Sequence, residues 1–467
     1  MKIVLRTLMM LFLWPVLSVS QEIRQVSVDD AIRIALENVS ELRNLRLDEQ
    51  IQVAKNKEVI GSALPQIALS GQGTYYTNLP KIAFPSSDIG IYQVLEKEGV
   101  QDKNGNPINT SNATFGVQPV SFVAPWNYQV GLGVQQLLFQ PDVFIAVQAR
   151  EKVLEFAKEN TKVAELRVRE SVSKSYYAVL IAQQQRQVLG ETLKRLKQLE
   201  FEMGQMYKNG FAEKLDLDKL TVTLNNTETA QNQLDNAISI STSLLKNTMG
   251  IPQSDSLVLT TKLDPEMLKT ELLQARGSFD YSQRPEFTLM NTARELQELD
   301  LKRYKLAFAP TLAVFYQLQR SGQRNEIYDV NGSGPWFSFT TGLLGVSLNQ
   351  TLFDGFQRKN KIQQSKLNIQ KIENSLTMLR QAIDMEQNIA ASALNSALLN
   401  LDVQKRNMQL AETVFNTTKK KYQAGLASSF ELIQSDSEFQ RAYGNYFQAL
   451  YEGYVQKISY TKALGKL

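Results

Sequence analysis

All thirteen prolines of this 467-residue chain lie at or before Pro141 or between Pro252 and Pro335, so Asp142 to Ile251 and Trp336 to Leu467 contain none. Proline lacks the amide hydrogen that a helix interior uses and clashes with the preceding turn, so these two blocks are where long helices can form. In the second block Ile369, Ile372, Leu376, Leu379 and Ile383 step by threes and fours, Glu386 interrupts, and Ala390, Ala393 and Ala397 continue the stripe. That is a coiled-coil-like seam, with small residues that would let neighbouring helices approach closely. Leu189, Leu193, Leu196, Leu199, Met203 and Met206 keep a similar period in the first block. Helices over Val143–Met206 and Gln357–Gln423 would each be about 95–100 Å long at ~1.5 Å per residue, and no compact globule of this size needs such rods.

The two blocks resemble each other, which marks an internal duplication. Tyr207 to Phe211 lines up with Tyr422 to Leu426, and Thr248 to Gly250 with Ala463 to Gly465, at an offset of 215. Gly131 to Phe139 lines up with Gly345 to Phe353 at 214, whereas Ala63 to Pro65 meets Phe308 to Pro310 at 245. The first repeat therefore carries about 31 extra residues, which fall in the Pro- and Asn-rich stretch Asn78 to Pro125, expected to be a long loop. Each repeat runs helix, strand, loop, strand, long helix, tight turn, helix. The opening helix of the first is expected from Ser27, where Asp30 three positions on gives a capping pattern.

Four segments alternate as strands do. Ile67, Leu69, Gly71, Gly73 and Tyr75 alternate with Gln66, Ser70, Gln72 and Thr74, and Tyr128, Val130, Leu132 and Val134 with Asn127, Gln129, Gly131, Gly133 and Gln135. In the second repeat Leu312, Val314, Tyr316 and Leu318 alternate with Thr311, Ala313, Phe315, Gln317 and Gln319, and Leu344, Val346 and Leu348 with Gly345, Ser347 and Asn349. Segments of ~9–11 residues are long enough for a tilted strand to cross a bilayer; a soluble antiparallel sheet with one face on a core is the alternative. Two features favour the membrane. The wet face holds uncharged Gln, Asn, Thr and Ser, and Tyr75, Tyr76, Trp126, Tyr128 and Trp336 mark strand ends as an interfacial girdle would. Four strands cannot close a barrel, because small closed barrels take about eight and open edges in lipid leave backbone groups without partners. A pore built from them is shared between chains, in a number the spacing does not supply.

Composition narrows the chemistry. The chain has no cysteine and no histidine, which excludes disulfides, thiolate nucleophiles, imidazole bases and the usual zinc ligands, and also a lipid anchor on an N-terminal cysteine. No G-x-S-x-G, P-loop or G-x-G-x-x-G occurs, and the expectation is no enzyme, no cofactor and no metal. The formal charge of +4 is too even a balance for a nucleic-acid partner. Lys2 and Arg6, the apolar run Leu8 to Leu17 and Ser18-Val19-Ser20 read as a secretory signal over residues 1–20, since the run is too short to span ~30 Å of hydrocarbon.

Taken together, the signal segment, the duplicated helix-hairpin-helix plan and the paired Tyr-x-x-Gly turns resemble the TolC family of outer-membrane efflux proteins over essentially the whole mature chain. The resemblance implies a mainly α fold with a transmembrane β-barrel contribution. Residues 21–283 would form the first repeat and its connecting segment, with strands about 66–77 and 126–138, long helices about 142–250 and a connector 251–283. Residues 284–467 would form the second, with strands about 311–320 and 338–350 and long helices about 356–465. A homotrimer would supply a twelve-stranded barrel, four strands per subunit, above a periplasmic helical tunnel in the cell outer membrane. It also implies docking to a periplasmic adaptor that links the duct to an inner-membrane transporter, in efflux or type I secretion. The family's tunnel tips, where adaptors dock, map onto Asn209, Gly210, Phe211, Ala212 and Ala424, Gly425, Leu426, Ala427. Its aperture acids map onto Glu431 and, with a departure, Gln434; Asp216 is the first-repeat counterpart of Glu431. The family's latch arginine is replaced by Ala427, leaving Tyr207, Tyr422 and Asp216 as further gate candidates. Glu431 also completes a capping box with Ser428, and each glycine suits a helix end. The alternative outside this family is a secreted or periplasmic coiled-coil scaffold or adhesin without a pore.

Overall fold

The computed structural model describes residues 23–87, 89–112, 115–268, 279–325 and 336–467; the signal expected over residues 1–20 lies outside them, as does part of the connector, 269–278. The first half runs β1 (Ile23–Val26), α1 (Val28–Asn38), α2 (Ser40–Ser62), β2 (Gln66–Tyr75), β3 (Ile82–Ser87), α3 (Ile89–Lys97), β4 (Phe115–Val120), β5 (Trp126–Phe139), α4 (Pro141–Lys208) and α5 (Lys214–Met249), then β6 (Ser256–Leu259). The second half runs α6 (Pro285–Leu306), β7 (Thr311–Arg324), β8 (Phe337–Asn349), α7 (Gln357–Gln423) and α8 (Ser429–Ala463).

Local chemistry sets the ends of these elements. Pro141 and Pro285 each stand at a first helical position, where the missing N–H is not needed. At Ser27 the capping box is formed: the hydroxyl accepts from Asp30 N at 3.2 Å, and the Asp30 carboxylate accepts from Ser27 N at 3.3 Å. Both repeats close alike. Gly250 and Gly465 have φ of 67° and 68°, and the next residues, Ile251 and Lys466, donate back to Lys246 O and Thr461 O. A Cβ on Gly250 would lie 2.9 Å from the backbone of Asn38 and Val39, and one on Gly465 would lie 2.7 Å from Gln283 O. Asn38 and Gln283 are 245 apart, the offset of the repeat starts, so the duplication extends to these corners.

The chain forms two units. One comprises residues up to Ala54, Ala149–Leu299 and Gln364–Leu467; the other comprises Lys55–Gln148 and Asp300–Gln363. In the first unit, β1 and β6 pair in parallel and cover α1. Tyr176 on α4 lies beneath them, its hydroxyl donating to Val26 O at 2.9 Å and bonding Thr261 Oγ1 at 2.8 Å. A second apolar cluster joins Leu394, Leu398 and Leu401 of α7 to Phe447, Leu450 and Tyr454 of α8. Along the α7 seam Leu376, Ile383, Ala390 and Ala397 are buried. Glu386, which breaks that seam, bonds the nearly buried Arg284 at 2.9 Å.

The second unit holds one antiparallel sheet in the order β2-β5-β7-β8. The stretch Asn78 to Pro125, expected to be a loop, is instead structured: β3 and β4 pair from Ile82↔Val120 to Ser87↔Phe115, with α3 between them. β7 continues past 320 because Ser321 still has partners on both sides, Gln129 and Phe339. After β8 the chain is tied by Arg358, whose guanidinium bonds Asp354, Ala307 O and Thr351 O and lies 4.5 Å from the Phe308 ring centroid.

Candidate functional site

In an antiparallel ladder, directly opposed residues share a face. The register of the large sheet sets Leu69 opposite Leu132 and Leu132 opposite Leu318; it likewise joins Ile67, Val134, Tyr316 and Leu344 in one row, and Val314 with Val346. The four apolar alternations seen in the sequence therefore merge into a single greasy face. The opposite face carries rows such as Ser70, Gly131, Gln319 and Thr341, with Gln72 opposite Gln129. Ile67, Leu69, Leu344, Val346 and Leu348 of the apolar face are exposed to solvent. At one end of that face Tyr75 packs at a tilt against Trp126 (centroids 4.5 Å) and Tyr128 meets Trp336 edge-on (5.0 Å). Among the described residues β2 and β8 each pair on one side only, so the sheet is open at both edges.

In the other unit each long helix ends at a tight turn. After α4, Phe211 N donates to Met206 O at 2.8 Å and Gly210 N to Tyr207 O at 3.0 Å; after α7, Leu426 N donates to Lys421 O at 2.8 Å and Gly425 N to Tyr422 O at 3.0 Å. Both are Schellman closures with the glycine left-handed, φ 75° and 73°. The residues beyond the glycines, Phe211 and Leu426, are 79% and 78% exposed. Asn209 and Ala424 are exposed as well, whereas Ala212 and Ala427 are half-buried.

The two turns lead into helices with different starts. Glu431 and Ser428 form the capping box of α8, with Ser428 N donating to the Glu431 carboxylate at 3.1 Å. Glu213 leads α5 without a side-chain cap, and Asp216 in its first turn is half-buried. Tyr207 is exposed, but its counterpart Tyr422 packs against two buried clusters, Leu196, Met203, Leu220 and Leu224 of the first helical hairpin and Phe415, Leu432 and Phe439 of the second. Burial pushes the Tyr422 phenol above its ordinary value, and the carboxylates of Asp216 and Glu202 push it the same way. The structure thus brings Tyr422 and Asp216 into electrostatic reach, while Gln434 and Glu431 stay at the surface.

A buried group missing from the sequence-based candidates lies below the second turn. Asp436 is 3% exposed, and burial pushes its carboxyl up against the opposing influence of Gln440 and Arg195. Its signal was a polar residue on an apolar period, since Leu432, Asp436, Phe439 and Tyr443 step by four, three and four. Among the described residues no group of acids could hold a metal, and no helix is long and apolar enough to cross a membrane.

A family model described as "Outer membrane efflux protein" matches residues 121–250. No curated protein sequence matches the chain. Solved structures match over nearly its whole length. CusC, whose crystal structures concern transmembrane channel formation, is 16% identical, with 94% of this chain and 91% of that one covered and a TM-score of 0.67. The Campylobacter jejuni outer membrane channel CmeC is 14% identical, covering 94% and 85%, at 0.67. The outer membrane protein VceC of Vibrio cholerae is 13% identical, covering 94% and 96%, at 0.66. At such identities these likenesses establish the fold, a mainly helical one with a four-stranded sheet. Over residues 121–250 the chain is thus similar to the outer membrane efflux proteins, and over nearly its whole length it has the fold of these solved outer membrane channels.

Proposed function

We propose that the chain is one subunit of an outer membrane efflux channel, a passive exit duct and not an enzyme. Three copies each contribute four strands to a twelve-stranded barrel, β2 of one copy pairing with β8 of the next. The long helices continue the duct into the periplasm. The turns Asn209-Gly210-Phe211-Ala212 and Ala424-Gly425-Leu426-Ala427 dock a periplasmic adaptor, which couples the duct to an inner-membrane transporter for efflux or type I secretion. Tyr422 and Asp216 hold the tip shut, and Tyr207, Glu431 and Gln434 line the aperture. Binding of the adaptor to the open arrangement in preference to the closed one opens the duct.

The reading is carried by the sheet: an exposed apolar face, an opposite face on which uncharged polar rows mix with Phe315, Phe337, Phe339 and Leu343, and, among the described residues, two unpaired edges. Unpaired edges are tolerated in water but cost several kcal/mol per group in hydrocarbon, so insertion requires partner strands. The four-stranded sheet cannot close on itself, and copies of the same chain supply matching strands. The test is gel migration of the membrane fraction with and without boiling, followed by reconstitution in planar bilayers. We expect an unboiled trimer and stepwise ion conductance; a detergent-independent monomer without conductance would support the soluble scaffold instead.

A further inference from the structure

The apolar face of the large sheet changes character along β7. Leu312, Val314, Tyr316 and Leu318 are followed on the same face by Arg320, Gly322 and Arg324, since successive residues of a strand alternate sides. The neighbouring strand changes in step, Leu348, Val346 and Leu344 of β8 giving way to Gly342, Thr340 and Ser338. At this end β2 is joined to β5 and β7 to β8, whereas the other strand ends adjoin α2, α4, α6 and α7. Arg320 is exposed and lies opposite Val130 and Thr340. Its guanidinium donates through Nη2 to Ser338 Oγ at 3.4 Å, and among the described residues no acid pairs with it. Arg324, opposite Trp126, follows about 13 Å along the strand at ~3.3 Å per residue. Between the two arginines the Tyr128 ring lies over Gly322, where a Cβ would collide with it, and meets Trp336 edge-on.

We propose that this rim binds a lipid with an anionic phosphate headgroup, the phosphate accepting from the Arg320 guanidinium and the acyl chains lying on the apolar rows beyond it. The inference rests on the channel reading, which turns this face toward lipid and this end toward the outer leaflet. Charge selects the head: a guanidinium offers a fork of donors that matches two phosphate oxygens at once, and it repels a head that also carries a cation. Depth selects the lipid as its source. Tyrosine and tryptophan rings at a bilayer boundary sit at headgroup level, and those beside Arg320 hold it there. An arginine on a lipid-facing surface is costly unless its charge reaches that layer, and the long stem of Arg320 lets it do so. Arg324 adds a second positive charge to the same rim, and the short side chains of Ser338 and Thr340 leave the Arg320 head uncovered.

The chain supplies its own reporter. Of its three tryptophans Trp14 falls in the segment expected to be the signal, so Trp126 and Trp336, both at this rim, give the fluorescence of the exported protein. That protein is reconstituted in phosphatidylcholine bilayers, and quenching is followed as phosphatidic acid or phosphatidylcholine with brominated acyl chains replaces the host lipid. Phosphatidic acid should show a relative affinity at least about fivefold above phosphatidylcholine, the gain expected for one basic group at an anionic lipid surface. Arg320→Gln should lower that ratio by about the same factor, and Arg320→Lys should keep part of it. Lys419→Gln, which removes an exposed charge near the end of α7, should leave it unchanged. Excess inorganic phosphate should not relieve the quenching, because a free ion has no chains to lay on the apolar rows. A ratio near one in the parent, an undiminished ratio in Arg320→Gln, or relief by inorganic phosphate would overturn this assignment alone, since quenching by brominated phosphatidylcholine still shows that the rim meets lipid. Quenching by neither lipid would overturn the channel reading and this inference with it.

Discussion

Gly250 and Gly465 close equivalent corners of the two repeats, and the geometry distinguishes them from the turn glycines Gly210 and Gly425. All four are left-handed, but a Cβ on Gly210 or Gly425 would meet nothing within 4 Å. Gly210→Ala should therefore cost only the left-handed penalty, about 1–2 kcal/mol. Gly250→Ala and Gly465→Ala add a backbone collision, and each should lower Tm clearly more than Gly210→Ala in thermal unfolding of the detergent-solubilised chain. Asp436 gives a pH-dependent expectation. Its folded-state affinity for the proton is raised by burial, so the parent loses stability as pH rises through that raised value and regains it as pH falls. Asp436→Asn removes this titration. The variant should exceed the parent in Tm at pH 7.5, and the two should converge toward about pH 4, the ordinary carboxylate range. The turn glycines were legible as residues because few other side chains tolerate φ near +70°. The Arg195 partner of Asp436 was not, since it comes from a helix some 240 positions earlier.

At the scale of elements, the α7 seam shows how far periodicity reaches. Its interruption at Glu386 was visible in the sequence, but what Glu386 holds was not: Arg284 at the head of α6, itself 4% exposed and also bonded to Ala463 O at the end of α8. Lys462 lies near the same carboxylate and pairs with Glu170 of α4 at 2.9 Å, so four helices meet around three charged links. Among the described residues, removing the anion leaves Arg284 with Glu286 as its one ionic partner. Glu386 is about a third exposed, which discounts the full cost of a broken buried pair. Glu386→Ala should accordingly destabilise by about 1–3 kcal/mol, read as a fall in Tm, with Glu386→Gln recovering part of the loss. The β3–β4 ribbon was not legible for a specific reason. Pro85 and Pro119 sit inside the paired segments, and proline normally argues against a strand. A two-stranded ribbon has only edge strands, so each proline can turn its missing donor outward.

For the whole molecule the decisive property is which face of the sheet meets which solvent. Leu69 and Ser70 are neighbours in β2 on opposite faces, one in the row with Leu132 and Leu318, the other opposite Gly131. A lipid-facing arginine costs about 2–4 kcal/mol near the bilayer midplane, whereas an arginine facing a water-filled lumen costs little. Leu69→Arg should therefore reduce the unboiled oligomer in membrane fractions, while Ser70→Arg should assemble normally and shift ion preference toward anions in bilayer recordings. Equal assembly of both variants would show that the apolar face does not meet lipid.

By itself, the sequence determined the periodicities: proline-free blocks that permit long helices, alternations that permit two-faced strands, and a duplication that repeats both. Those signals are local, because helix and strand preferences depend on residues within a few positions of each other. Only the tertiary structure decided which strands align, that their apolar alternations fall on one face, that Tyr422 reaches Asp216, and that Arg195 and Asp436 share a cavity. Those pairings join residues tens to hundreds of positions apart, and nothing in the spacing of either partner specifies the other.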